Sequence, residues 1–227
     1  MLVPSAALLL LLAVAGCAVA QDPAEGWLGY AKGVNPSGEG IITYIEAKWR
    51  VGSNPRRGGA FFSPWFGIET SDNLNLIQPV NPWTGNQWQI YNEYFQWVPT
   101  HNYNSEAHVV RPGDVLFGSV SYNPSKNSYT VFHKDMNDGW SVTTEIPVQR
   151  SGGDYKKYTI VYFVFEKEWD CDQYPPDGEV TFYDIKVQYN NQTVSPQWTT
   201  AYVDDVCNNR AHIVDESTIK ITWDTTN

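Results

Sequence analysis

Outside its first twenty residues the chain has no apolar run long enough to cross a bilayer, so a helical anchor beyond them is excluded and the remainder is expected to be soluble. Cations are scarce. Fifteen Lys and Arg face 25 Asp and Glu, a net charge of −10, and apart from Arg56-Arg57 the positive residues are scattered. Nucleic acid and anionic membranes are held mainly by clustered Lys and Arg, so neither is expected as a partner. The four histidines (His101, His108, His133 and His212) are unclustered, and no Cys/His spacing suggests zinc, so no metal or cofactor is expected. The chain also lacks a Gly-x-Ser-x-Gly elbow, a phosphate loop, a His-Glu-x-x-His pair and a calcium loop. No stretch sustains 3.6-residue apolar periodicity, which removes the helical fold classes.

The apolar start is itself informative. Leu8 to Val14 carries no charge, and Ala18-Val19-Ala20 before Gln21 has the small-residue spacing of a signal peptidase site. Residues 1–20 therefore read as a signal peptide, and the protein as secreted and extracellular. Two other readings stay open: a buried N-terminal helix, and a lipoprotein box at Val14-Ala15-Gly16-Cys17, although the usual leader cation is missing. Cys17 leaves with the leader, so Cys171 and Cys207 remain. In an oxidising compartment these form one disulfide, the alternative being two free buried thiols. Asn191-Gln192-Thr193 is an N-glycosylation sequon, which places that turn on the surface. The triplets at Asn35 and Asn123 are void because Pro follows each.

Strand signals fill the rest. Ten Trp and fourteen Tyr, with abundant β-branched residues, favour sheet over helix. The runs 41–51, 115–122 and 181–189 alternate apolar and polar residues as half-buried strands do, and 218–223 reads as the last strand. Tyr158 to Glu166 is nearly all apolar and reads as a central strand covered on both faces. Compact turns at Asn35-Pro36-Ser37-Gly38, Arg111-Pro112-Gly113-Asp114, Ser151-Gly152-Gly153-Asp154 and Pro175-Pro176-Asp177-Gly178 separate the runs. No linker or repeat divides residues 21–227, so one all-β domain is expected: an antiparallel sandwich of the jelly-roll, concanavalin-like kind with a groove on one face.

One segment, Trp65 to Trp97, is unusually rich in aromatics and side-chain amides. Aromatic and polar residues alternating along strands can line a groove for an extended polymer; the competing reading is an aromatic core.

Three pieces of it stand in a telling order: Trp65-Phe66-Gly67-Ile68-Glu69, then Ile77-Gln78, then Tyr91 to Pro99. Downstream come Pro112-Gly113-Asp114-Val115, Val161-Tyr162-Phe163-Val164-Phe165-Glu166 and Val180-Thr181-Phe182-Tyr183-Asp184. This succession resembles the glutamic peptidases, the eqolisin family of secreted acid proteases, across most of the chain. The resemblance implies a catalytic pair at Gln78 and Glu166. An ionised carboxylate can take the proton of a water attacking the peptide carbonyl, and a side-chain amide can donate to the oxygen that becomes negative. A carboxylate base is ionised only above about pH 4.3, and leaving-group protonation is easier in acid, so such a pair suits acid conditions. The resemblance further places Glu69 near the pair to orient Gln78 or the water, Trp65 as a cleft wall, and Tyr94 and Gln96 on the next groove-facing positions.

The chain departs from the family in several places. Tyr94, Gln96 and Glu69 stand where the family has Trp, Glu and Asp, and Lys167 where an acidic residue is expected. Gln21 to Trp27 is all that separates the leader from the first family-like strand, where the family usually has a propeptide. The expectation is therefore a secreted, monomeric acid endopeptidase acting on polypeptides through Gln78 and Glu166. The alternatives are a non-catalytic module binding a glycan or peptide in the same groove, and, more remotely, an extracellular structural protein.

Overall fold

The computed structural model describes residues 26–166, 170–203 and 205–226. The leader over residues 1–20, with Cys17, and Lys167 lie outside the described residues.

Eighteen strands follow one another among the described residues. The first group is β1 (Trp27–Val34), β2 (Ile42–Arg50), β3 (Ser63–Thr70), β4 (Asn75–Val80), β5 (Trp88–Gln96) and β6 (His101–Asn104). Next come β7 (His108–Val110), β8 (Val115–Asn123), β9 (Ser128–Asp135), β10 (Ser141–Pro147), β11 (Arg150–Ser151) and β12 (Asp154–Tyr155). The last are β13 (Tyr158–Glu166), β14 (Glu179–Tyr189), β15 (Gln192–Thr193), β16 (Gln197–Tyr202), β17 (Arg210–Asp215) and β18 (Thr218–Thr222). Among the described residues the one helical element is a 3₁₀ turn at Cys171–Gln173.

Two eight-stranded antiparallel sheets result. One runs β16-β1-β13-β3-β4-β5-β6, with β7 added to β5; the other runs β10-β9-β8-β2-β14-β18-β17, with β15 on β14. This is the sandwich expected from the alternating runs. Its interior is a continuous aromatic layer between the sheets. Phe66 stacks on Phe163 at 5.4 Å, Phe163 meets Phe182 edge-on at 5.0 Å, and Trp49 bridges Phe66 and Phe182 at 5.7 and 5.6 Å. Each such pair adds about 0.5–1.5 kcal/mol beyond area burial.

The first sheet also buries apolar residues on its outward face. Trp27, Trp65, Leu76, Val80, Ile160, Tyr162 and Val164 form a second cluster there. That explains the continuous apolar run in β13. Val161, Phe163 and Phe165 face the interior while Ile160, Tyr162 and Val164 face the outer cluster, so no position is left for a polar residue until Glu166.

Cys171 and Cys207 are bonded, with Cα atoms 5.4 Å apart, and tie the segment after β13 to the loop after β16. The sequon turn is exposed. Asn190 and Asn191 both take positive φ (50° and 64°), the conformation a tight hairpin requires and asparagine tolerates.

Candidate functional site

Strand alternation decides which side chains share the outward face. On β4, Ile77 joins the interior core, so its neighbour Gln78 points outward. On β13, Phe165 is interior, so Glu166 points outward. On β5, Asn92 reaches across the sandwich to donate to the carbonyl of Val131 at 3.0 Å, which turns Tyr91 and Glu93 outward. Gln78 and Glu166 therefore share one face of one sheet.

Both ends are held. The indole Nε1 of Trp65 donates to Glu166 Oε2 at 2.7 Å. Gln78 Nε2 donates to Glu93 Oε2 at 2.7 Å, and Asn102 Nδ2, from the edge strand β6, donates to Glu93 Oε1 at 2.6 Å. Gln78 is 3% exposed, and its Oε1 is buried without a hydrogen-bond partner. A buried carbonyl left without a hydrogen bond costs about 1–3 kcal/mol.

The sheet register gives the spacing. Tyr162 pairs with Gly67, which lies alongside Gln78, and Gln78 pairs with Glu93. Glu166 is two outward positions further along β13, after Val164. Tyr91 lies within the electrostatic reach of both carboxylates: burial raises its phenol pKa, and the negative charges of Glu93 and Glu166 raise it further. Tyr30, Tyr91, Phe95 and Trp97, each partly buried against the outer cluster, supply aromatic surface around the two carboxylates.

Gly67 is indispensable to this arrangement. A Cβ there would lie 2.5 Å from the Ile77 carbonyl oxygen and 2.9 Å from Gln78 Cβ. Only glycine lets β3 and β4 close up beneath Gln78.

Four expectations from the sequence are corrected here. Trp65 is fully buried; it does not wall a cleft but acts as a hydrogen-bond donor to Glu166, packed edge-on against Trp27 at 5.0 Å. Glu69 follows Trp65 and Gly67 on the same side of β3 but is fully buried between Leu76 and Ile160, so it offers a substrate no surface. Tyr94 and Gln96 are not on the outward face that carries Gln78 and Glu166. They point the other way, where Tyr94 Oη bonds Asn75 Nδ2 at 2.7 Å and Gln96 Oε1 at 2.8 Å. There they border a separate cavity of about 740 Å³ lined also by His101, Tyr103, Thr143 and Pro147. The physical reason is the period of two: placing Gln78 opposite Glu93 sends residues 92, 94 and 96 to the opposite face. Glu93 and Asn102 were missed altogether. The alternation of β5 was the available signal, but its phase is fixed only by pairing with β4.

Among the described residues, one group gathers metal-ligand atoms: His108, Asp135 and Asp138, within 4.8 Å of one another. His108 Nε2 is already 2.8 Å from Asp138 Oδ2, and its ring stacks on Trp140. His108 opens β7, Asp135 closes β9 and Asp138 lies in the β9–β10 turn, so they contribute nothing to the outward face carrying Gln78 and Glu166. No helix of the described residues is long and apolar enough to cross a membrane.

Comparison with known proteins adds the following. Residues 25–224 match the Peptidase A4 family. No curated protein matches the chain in sequence. Among solved structures, it is similar to scytalido-glutamic peptidase with a transition-state analogue inhibitor, at 18% identity and a TM-score of 0.66, covering 88% of this chain and 98% of that one. It is similar to SCP-B, a member of the eqolisin family of peptidases, in complex with the tripeptide Ala-Ile-His, at 17% identity and 0.62 over 88% and 98%. Aspergilloglutamic peptidase from Aspergillus niger matches at 18% identity and 0.54 over 73% and 99%.

Proposed function

Because this chain belongs to the Peptidase A4 family and is a glutamic-type peptidase, we propose that Gln78 and Glu166 are its catalytic pair and that it cleaves polypeptides outside the cell in acid. The observation that carries the reading is the fixing of both side chains on one outward face, Glu166 by Trp65 and Gln78 by Glu93.

The chemistry balances without a cofactor. A water oxygen bonds to the peptide carbonyl carbon as Glu166 takes its proton. The carbonyl electron pair moves to oxygen, which accepts an N–H of Gln78. On collapse the C–N bond breaks and Glu166 returns the proton to the leaving amine. Tyr91, Phe95 and Trp97 border an extended strip on which the substrate backbone lies. Secretion is supported by the disulfide and by the exposed, open sequon turn at Asn191, which the proposal takes as glycosylated.

The test is hydrolysis of a denatured protein substrate from about pH 2 to about pH 7 with pepstatin present, comparing wild type with Glu166→Gln and Gln78→Ala. Glu166→Gln should abolish turnover. Gln78→Ala should cost about 100- to 1000-fold in rate. Equal rates in wild type and folded Glu166→Gln would discard the pair and return the groove to the role of a binding surface for a peptide or glycan.

A further inference from the structure

We propose that Glu93 is a positioning residue: its carboxylate, when ionised, dictates which end of the Gln78 amide faces the reaction. The inference rests on the assignment of Gln78 and Glu166 as the catalytic pair.

An ionised carboxylate only accepts hydrogen bonds. Glu93 Oε2 takes one N–H of Gln78 at 2.7 Å, and Glu93 Oε1 takes an N–H of Asn102 at 2.6 Å. With both oxygens engaged by neutral amides, Glu93 is a built-in anchor and not a free charge waiting for a basic substrate side chain. Rotating the Gln78 amide half a turn would set Oε1 against Glu93 Oε2, two acceptors at hydrogen-bond distance with no proton between them. The carboxylate therefore selects one of the two orientations.

That selection has a chemical result. With one N–H held by Glu93, the second N–H of Gln78 and its partnerless Oε1, which is buried in the absence of substrate, are the groups left to meet a substrate once it is bound. The free N–H suits the oxygen that becomes negative, and Oε1 suits a hydrogen of the attacking water that Glu166 does not take. An amide free to flip would offer each group in the wrong place part of the time. Asn102, diagonal to Glu93 across the β5–β6 pair, completes the relay by fixing the carboxylate itself.

The decisive substitution is Glu93→Gln, which keeps the size but introduces a donor that can satisfy the flipped amide. A hydrogen bond to a charged group is worth enough that kcat should fall about tenfold or more, with KM changed by no more than about twofold. In a Gln78→Ala background the same substitution should cause no further loss, because nothing remains to position. Asn102→Ala, on the exposed edge strand, should give a smaller kcat loss with the same unchanged KM, and reads the relay even if Glu93→Gln folds poorly. Wild-type kcat in Glu93→Gln or, should that variant misfold, in Asn102→Ala would overturn the proposal, as would a Glu93→Gln loss that persists in full without Gln78. If Glu166→Gln and Gln78→Ala behave as expected while Glu93→Gln does not, only the positioning role falls. If Glu166→Gln retains turnover, the catalytic pair falls first.

Discussion

Adding one methyl group at Gly67 tests whether backbone contact between β3 and β4 sets the position of Gln78. The new Cβ would stand 2.5 Å from the Ile77 carbonyl oxygen, where ordinary contact begins at 3.4 Å, so β4 must retreat by about 0.9 Å. The displaced oxygen belongs to the residue immediately before Gln78, and the second clash is with Gln78 Cβ itself at 2.9 Å, so the amide moves with the strand. A misplacement of about 1 Å can cost on the order of 100-fold in rate. Overpacking of this kind also costs about 1–3 kcal/mol of stability, or roughly 2–4 °C in Tm per kcal/mol for a domain of this size. Glu166 pairs with Ser63, beyond the strained rung, and should be undisturbed. The assay is kcat for Gly67→Ala on a peptide substrate beside a thermal melt of the same preparation. A lowered Tm with wild-type kcat would refute the link between Gly67 and the amide; wild-type values of both would refute the packing argument as well.

Trp65→Phe removes the N–H that reaches Glu166 and keeps the apolar contact with Trp27; turnover should fall about tenfold, the loss of a hydrogen bond to a charged group, and an unchanged rate would show that the indole only packs. His133 is fully buried, which lowers its pKa to about 3 although its bond to the Tyr91 carbonyl favours the proton. The unfolded chain binds that proton near pH 6.5, so stability present above this value is lost as pH falls toward 3, by roughly 5 kcal/mol in all. His133→Gln should flatten that part of a denaturation-against-pH curve, and a curve parallel to wild type would contradict the argument. Removing the bridge by Cys171→Ser with Cys207→Ser should cost about 2–4 kcal/mol in urea unfolding; an unchanged midpoint would show the loop is held by other contacts. Asn191→Gln should abolish the mass added to the protein by a secreting host with N-glycosylation, and no shift in the wild type would remove the sequon from the case for secretion.

Period-two patterning carried much of the fold, because a half-buried strand declares itself locally. The runs 41–51, 115–122, 158–166 and 181–189 coincide with β2, β8, β13 and β14 to within two residues. The site was legible only in part. Gln78 and Glu166 were singled out through the resemblance, and what the structure adds is that both lie on one outward face of one sheet. Tyr94 and Gln96 went to the wrong face because the phase of β5 relative to β4 is a non-local property: shifting the pairing by one residue exchanges residues 91, 93 and 95 with 92, 94 and 96. Glu93 looked like an ordinary strand carboxylate until that register placed it opposite Gln78. Trp65 was expected to line a surface, but Trp27 covers it on the outer face and its indole N–H is directed to Glu166.

The division of labour between the strands bears on how such a protein can change over time. Glu166 and Trp65 come from β13 and β3, strands filled on both faces, where almost any exchange disturbs two packed clusters at once. Tyr91, Phe95 and Trp97 belong to the side of the sheet that thins toward the exposed strand β6. These three side chains pack only against the rim of the outer cluster, so exchanging them disturbs one face of the sheet and leaves the core between the sheets intact. If the proposed pair is catalytic, new cleavage preferences are accessible to drift along one margin of the sheet while Glu166 and Trp65 stay fixed by their own packing, and a library aimed at altered specificity belongs on that margin.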